Sequence, residues 1–153
     1  MDLFKNRTVI VPFDFSETSK HAVEVTTKMA DKTTSLHIVH VIEPTTTLMS
    51  FDPALAVPPT LDQDRHDIAT KQMEKLFGDE EYAHIKRHCI SGDPGIEIIK
   101  LAEELRANLI VMPSHGRTGL NRLLLGSVAE RVSRLSKCPV LILRGDEWSE
   151  GCQ

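Results

Sequence analysis

One stretch of this sequence brings together residue types that can hold an anion. From Leu109 to Glu130 it reads Leu-Ile-Val-Met-Pro-Ser-His-Gly-Arg-Thr-Gly-Leu-Asn-Arg-Leu-Leu-Leu-Gly-Ser-Val-Ala-Glu. The apolar start, with β-branched Ile110 and Val111, has the pattern of a strand buried on both faces. Pro113 ends it, and a loop follows that holds Gly116 and Gly119 with Arg117 and Arg122 beside them. At Gly126 and Ser127 a helix is predicted to begin, because Ser127 and Glu130 have the spacing of a capping box. Strand, glycine loop and helix N-terminus together aim unpaired backbone N–H groups and the positive end of a helix dipole at one spot. The chemistry this favours is the binding of nucleotide phosphates.

A second set of residues closes the predicted first strand, Pro12-Phe13-Asp14-Phe15-Ser16. If the two strand ends are neighbours, Asp14 faces the glycine loop across one cleft, where its carboxylate can accept hydrogen bonds from ribose hydroxyls. Gly116, Gly126 and Ser127 then hold phosphates, and Val41 and Met112 seat a purine. Plainer readings stand beside these. Asp14 can be a turn carboxylate bonding nearby N–H groups, and Gly116 and Gly119 can serve only a tight loop. Gly126 can serve close packing of helix on sheet, and Ser127 is expected to cap its helix. Arg117 and Arg122 read as solvated, and His115 as the histidine best placed to meet a ligand.

The elements that must position these residues follow from the patterning. Strands are predicted over Thr8 to Phe13, Ser35 to Ile42, Ala83 to Ser91, from Asn108 or Leu109, and over Val140 to Leu143. The third, with charged residues alternating among apolar ones, reads as an edge strand. Helices are predicted from a Ser16 cap to about Asp31, with Ala22, Val23, Met29 and Ala30 as apolar positions, and from Asp62 to Phe77, with Ile68, Met73, Leu76 and Phe77 inward. Another is predicted from an Asp93 cap with Pro94 at its first position, Ile96, Ile99, Ala102 and Leu105 inward. Thr45 to Leu61, rich in Thr and Pro, reads as a long connecting loop, either a binding surface or an insertion without a role. His37 and His40 read as sheet residues whose nitrogens find partners. Strict alternation of strand and helix implies a single doubly wound, all-parallel five-stranded α/β sheet with helices on both faces. Ligands of such sheets bind beyond the carboxyl ends of the strands, where strand order reverses.

Other chemistries lack their signatures. There is no phosphate-binding lysine loop, no G-x-G-x-x-G after the first strand, no G-x-S-x-G elbow and no H-E-x-x-H, so neither a metal site nor covalent catalysis is expected. A formal net charge of −4 and the lack of a basic run give no case for nucleic acid or an anionic membrane surface. The apolar runs are far shorter than the ~20 residues of a membrane span. No signal peptide is read at Met1, and the three cysteines, without a C-x-x-C, suit free thiols in a reducing cytoplasm.

Taken together, Val9-Ile-Val-Pro-Phe-Asp-Phe-Ser16, His40-Val41, Gly92-Asp-Pro94 and Cys138-Pro-Val-Leu-Ile142 make the sequence resemble the universal stress proteins of the UspA type over nearly its whole length. The resemblance implies an adenine nucleotide α-hydrolase-like fold with strand order 3-2-1-4-5, over residues 1–146, with 147–153 a tail. ATP-binding members carry G-x2-G-x9-G-[ST]. Its later positions fall on Gly116, Gly126 and Ser127, but its first glycine falls on Pro113, which fixes φ and has no N–H. By resemblance Asp14 contacts ribose, Val41 and Met112 adenine, and Gly116, Gly126, Ser127 and Val128 the phosphates, with Pro12 and Pro113 in the wall of the site.

The function these readings favour is regulatory binding of ATP, with or without Mg2+, and slow or no hydrolysis, since no residue is placed to orient a water. The alternative is a dimeric interaction module of the stress response whose cleft Pro113 closes. A third reading, an enzyme of the related nucleotide α-hydrolase folds, requires a catalytic motif that the sequence does not carry. The resemblance also implies a homodimer through the last strand, Val140 to Leu143, whose exposed edge invites pairing.

Overall fold

The computed structural model describes residues 4–44, 59–115 and 125–144. The strands are β1 (Thr8–Pro12), β2 (Ser35–Ile42), β3 (Lys86–Ser91), β4 (Leu109–Pro113) and β5 (Val140–Leu143). The helices are α1 (Glu17–Met29), α2 (Pro59–Phe77), α3 (Pro94–Glu104) and α4 (Ser127–Leu135), with a 3-10 turn at Glu80–Tyr82. The five strands form one sheet in the order β3-β2-β1-β4-β5, and all pairings are parallel. The predicted topology is therefore the observed one, with β3 and β5 at the edges.

Two cores lie on the two faces of the sheet. Successive side chains of a strand point to opposite faces, so Val9, Val11, Leu36, Ile38, Leu109 and Val111 meet Ala22 and Val23 of α1 and Met73 and Phe77 of α2. On the other face Ile10, Val39, Ile110 and Met112 meet Ile98, Leu101 and Ala102 of α3 and Ala129 and Val132 of α4. Burying one such aliphatic side chain contributes about 1.5–3 kcal/mol.

Helix boundaries follow local chemistry. Ser16 caps α1, its hydroxyl accepting from the Ser19 N–H, and Asp93 caps α3 by accepting from the Ile96 N–H at 3.0 Å. Before α3, Gly92 has φ +149°, which L side chains rarely adopt, while its N–H donates to the Ile42 carbonyl at 2.9 Å and extends the β2–β3 pairing. A Cβ on Gly95 would stand 2.5 Å from Arg131 Cδ, so this glycine lets α3 and α4 approach.

Several expectations are corrected. α1 stops at Met29, which is exposed, and α2 begins at Pro59 rather than Asp62. The inward stripe of α2 is Ala69, Met73 and Phe77, while Ile68 and Leu76 face solvent. In α3 Gly95, Ile98, Leu101 and Ala102 are buried and Ile96 is exposed. β1 ends at Pro12 and β3 starts only at Lys86. Most of the Thr45 to Leu61 stretch, the glycine loop from Gly116 through Arg122, and the tail lie outside the described residues.

Candidate functional site

The strand order reverses between β1 and β4, and there the sheet comes apart. β1 pairs with β2 over five positions but with β4 over only Val9↔Leu109 and Ile10↔Ile110. The reason lies in two prolines. Successive residues of a strand direct their N–H groups to opposite neighbours. The Phe13 N–H donates to Val39 of β2 at 2.8 Å, so the nitrogen of Pro12 faces β4. The Ser114 N–H donates to Leu143 of β5 at 2.9 Å, so the nitrogen of Pro113 faces β1. Each proline lacks the donor that the next rung requires, and the ladder stops below them.

A cleft of about 360 Å³ opens above this gap. Its wall includes Pro12, Asp14, Val41, Met112, Pro113, Gly126, Ser127 and Val128. The structure thus brings together every residue singled out for the site except Gly116, which lies outside the described residues. Pro113 is part of the wall and leaves the volume open. His115 does not line the cleft; its ring Nδ1 lies 2.9 Å from Ser114 Oγ, and its carbonyl accepts from Thr18 Oγ1 at 3.1 Å.

Asp14 serves the turn and the cleft together. Its Oδ1 accepts from the Ser16 N–H at 3.1 Å and from the Ser16 hydroxyl, which in turn caps α1. The chain reaches this geometry through Phe15 at φ 65°, a left-handed conformation unusual for an aromatic residue. Packing holds it there: the Phe15 ring meets Phe13 and His40 edge-on, with centroids 4.9 and 4.7 Å apart. His40 is fixed by Nδ1, 2.8 Å from the Phe13 carbonyl. The imidazole and the aromatic rings therefore brace the turn that carries Asp14.

At the other wall the expected capping box is absent. Gly126, not Ser127, is the N-cap of α4, and among the described residues no side chain caps this helix. The Gly126 N–H donates to the Ser114 carbonyl at 2.8 Å, which pins the start of α4 to the end of β4. That amide is consequently engaged within the protein. The first-turn N–H groups of Ser127, Val128 and Ala129 have no carbonyl of their own helix to bond, and these residues form the cleft wall. The positive end of the α4 dipole lies with them.

Ser19, Val39, Glu43, Arg65 and Ile98 also line the cleft and carried no motif that could have flagged them, while Phe13 and Pro94, also in the wall, lie within motifs quoted above but were given no part in the site. Arg65 comes from α2 and Pro94 and Ile98 from α3, so only the folded topology reveals their place. Two further histidines, His37 and His88, are structural in character. His37 Nδ1 lies 2.8 Å from His88 Nε2, with the rings stacked at 12°, and the His37 Nε2 lies 3.0 Å from Ser35 Oγ. His84 and His88 have the H-x-x-x-H spacing that would share a helix face, but His88 is in β3 and His84 in the preceding turn. Among the described residues no group of three His, Cys, Asp or Glu side chains is placed to hold a metal ion, and no helix is long and apolar enough to cross a membrane.

Comparison with known proteins agrees with this architecture. The universal stress protein MJ0531 of Methanocaldococcus jannaschii is 32% identical over 142 residues, covering 90% of this chain and 82% of that protein. The solved structure of MJ0577 superposes with a TM-score of 0.74 at 29% identity, covering 92% of this chain and 96% of the other. A universal stress protein solved in complex with cAMP superposes with a TM-score of 0.58 at 25% identity, covering 92% of this chain and 97% of the other. The model of the universal stress protein family matches residues 5–144, and this chain belongs to that family.

Proposed function

We propose that this protein binds an adenine nucleotide, ATP in the first place, in the cleft between β1 and β4, and that it acts as a regulatory protein with slow or no hydrolysis. One observation carries the reading. The Asp14 carboxylate, the apolar Val41 and Met112 and the N-terminus of α4, which the sequence reading sets around one cleft, line a single cleft at the switch point of the sheet. Its volume of about 360 Å³ falls in the range of small-molecule sites. The relative solved with cAMP supports the ligand class.

In this reading Val41 and Met112 flank the base and Asp14 accepts from ribose. The amides of Ser127 and Val128, with the Ser127 hydroxyl, hold phosphate. Gly126 contributes the small size of its residue, since its N–H is engaged by Ser114. Mg2+ would arrive on the phosphates, because such sites use few protein ligands for it. Cys89 and Cys138 are free thiols, which suits the cytoplasm. Among the described residues β5 pairs on one side only, with β4; its other edge supports a homodimer built on Val140 to Leu143.

Titration calorimetry with ATP and Mg2+ on the native protein and on Pro113→Gly tests the reading. Micromolar binding by the native protein is the expected result. Binding by the glycine variant alone would identify Pro113 as a block and favour the dimeric interaction module. Silence from both would refute nucleotide binding at this cleft.

A further inference from the structure

The α4 N-terminus lines the cleft, and so does a cation carried by a different helix, α2. Arg65, in the second turn of α2, lines the cleft beside Glu43, where β2 ends. Its guanidinium is held from two sides. Nη1 donates to the Glu43 carbonyl at 2.8 Å and lies 3.5 Å from Asp62 Oδ1. Both contacts use the same nitrogen. A guanidinium carries five N–H donors on a rigid plane, so Nε, Nη2 and the flat face of the group remain for a ligand. The side chain is 38% exposed, at the mouth of the cleft rather than within the core.

Glu43 stands two residues beyond Val41, the residue that seats the base in the reading above, and the wall that Arg65 shares includes the apolar Val39, Val41, Pro94 and Ile98, surroundings that suit a ring. A planar cation fixed over an apolar slot suits an aromatic base, through its π-face and its ring-nitrogen acceptors. We infer that Arg65 is a specificity-determining residue that closes over the base of the bound nucleotide, a role that rests on the nucleotide reading above. It supplies what the backbone cannot, a donor plane that recognises the purine independently of how many phosphates follow. The carbonyl of Glu43 and the carboxylate of Asp62 position it, so the terminus of β2 and the first turns of α2 become parts of the site.

The test is calorimetric titration of the native protein, Arg65→Met and Arg65→Lys with adenosine, AMP and ATP, together with a thermal melt of each protein. Methionine keeps the bulk of the stem and lysine keeps the charge, but neither keeps the plane. The expected result is a loss of about tenfold in affinity, equal for the three ligands, in both variants, with the melts unchanged. A loss that grows from adenosine to ATP would overturn the inference by showing a phosphate clamp. Full affinity in both variants, or full affinity in the lysine variant alone, would overturn it while leaving nucleotide binding intact. Silence of the native protein toward all three ligands would refute the nucleotide reading and this role with it. An Arg65→Met that melts early leaves the comparison to the lysine variant.

Discussion

Pro113 and Asp14 define the site at the scale of single residues. Pro113 presents a ring and no donor toward β1, so a glycine there adds one N–H to the wall of the cleft without disturbing the β5 ladder. Pro113→Gly is expected to tighten ATP binding about tenfold, the worth of one hydrogen bond to a charged acceptor. It is also expected to lower stability by about 1 kcal/mol, through the greater freedom of the unfolded chain. Calorimetry and urea denaturation read the two effects separately. Asp14 has two duties, and an isosteric change divides them. Asp14→Asn keeps an oxygen for the Ser16 N–H, so the unfolding free energy read from urea denaturation should change by less than about 0.5 kcal/mol. Losing the charge should weaken nucleotide binding about tenfold. A variant that unfolds early but binds normally once folded would assign Asp14 to the turn alone.

At the scale of elements, α3 is fastened by its first residues. Asp93 caps the helix and also accepts from Arg131 Nη1 at 2.7 Å, tying α3 to α4. The Arg131 bond, and then the Ile96 N–H, hold its carboxyl below the usual range. Asp93→Ala should cost about 1 kcal/mol in chemical denaturation, the worth of an N-cap. β2 and β3 respond to acid instead. Burial, and then the neighbouring His88 and Lys86, lower the His37 pKa to about 4, and burial lowers that of His88 as well. The fold thus favours neutral imidazoles. Their contribution is complete above the ordinary value near 6.5 and is lost as the pH falls from there toward 4. Urea midpoints measured across that window should decline in the native protein and decline less in His37→Phe. Much of this architecture was legible beforehand. The apolar runs marked the strands, and Ser16, Asp93 and Pro94 marked two helix starts. The helix faces were less legible for a geometric reason: stepping by three residues falls about 60° short of a full turn each time, so the series Ile96, Ile99, Ala102 and Leu105 walks around the cylinder. The buried set of Ile98, Leu101 and Ala102 mixes steps of three and one. The Ser127 cap was misread because the spacing to Glu130 is the same whether the serine stands at the cap or one residue inside. Arg65 left no trace at all, since its role depends on where α2 is carried by a crossover.

For the molecule as a whole, the outer edge of β5 decides whether two copies meet. Alternation from the Ser114–Leu143 bond places Leu143 and Leu141 toward β4, and the N–H groups of Val140 and Ile142 outward. Ile142→Pro therefore removes an outward donor and spares the β4 ladder. If β5 is the dimer seam, this variant should sediment as a folded monomer at micromolar concentration where the native protein sediments as a dimer. A persistent dimer would place the interface elsewhere. The other seam, between β1 and β4, has the opposite character. Its two prolines remove donors covalently, so no fluctuation of the sheet can zip it shut and no ligand must first pry it open. Access is written into the chain rather than into its motions. For a nucleotide entering there, the time it stays, more than the rate at which it arrives, becomes what sequence changes in the cleft can tune.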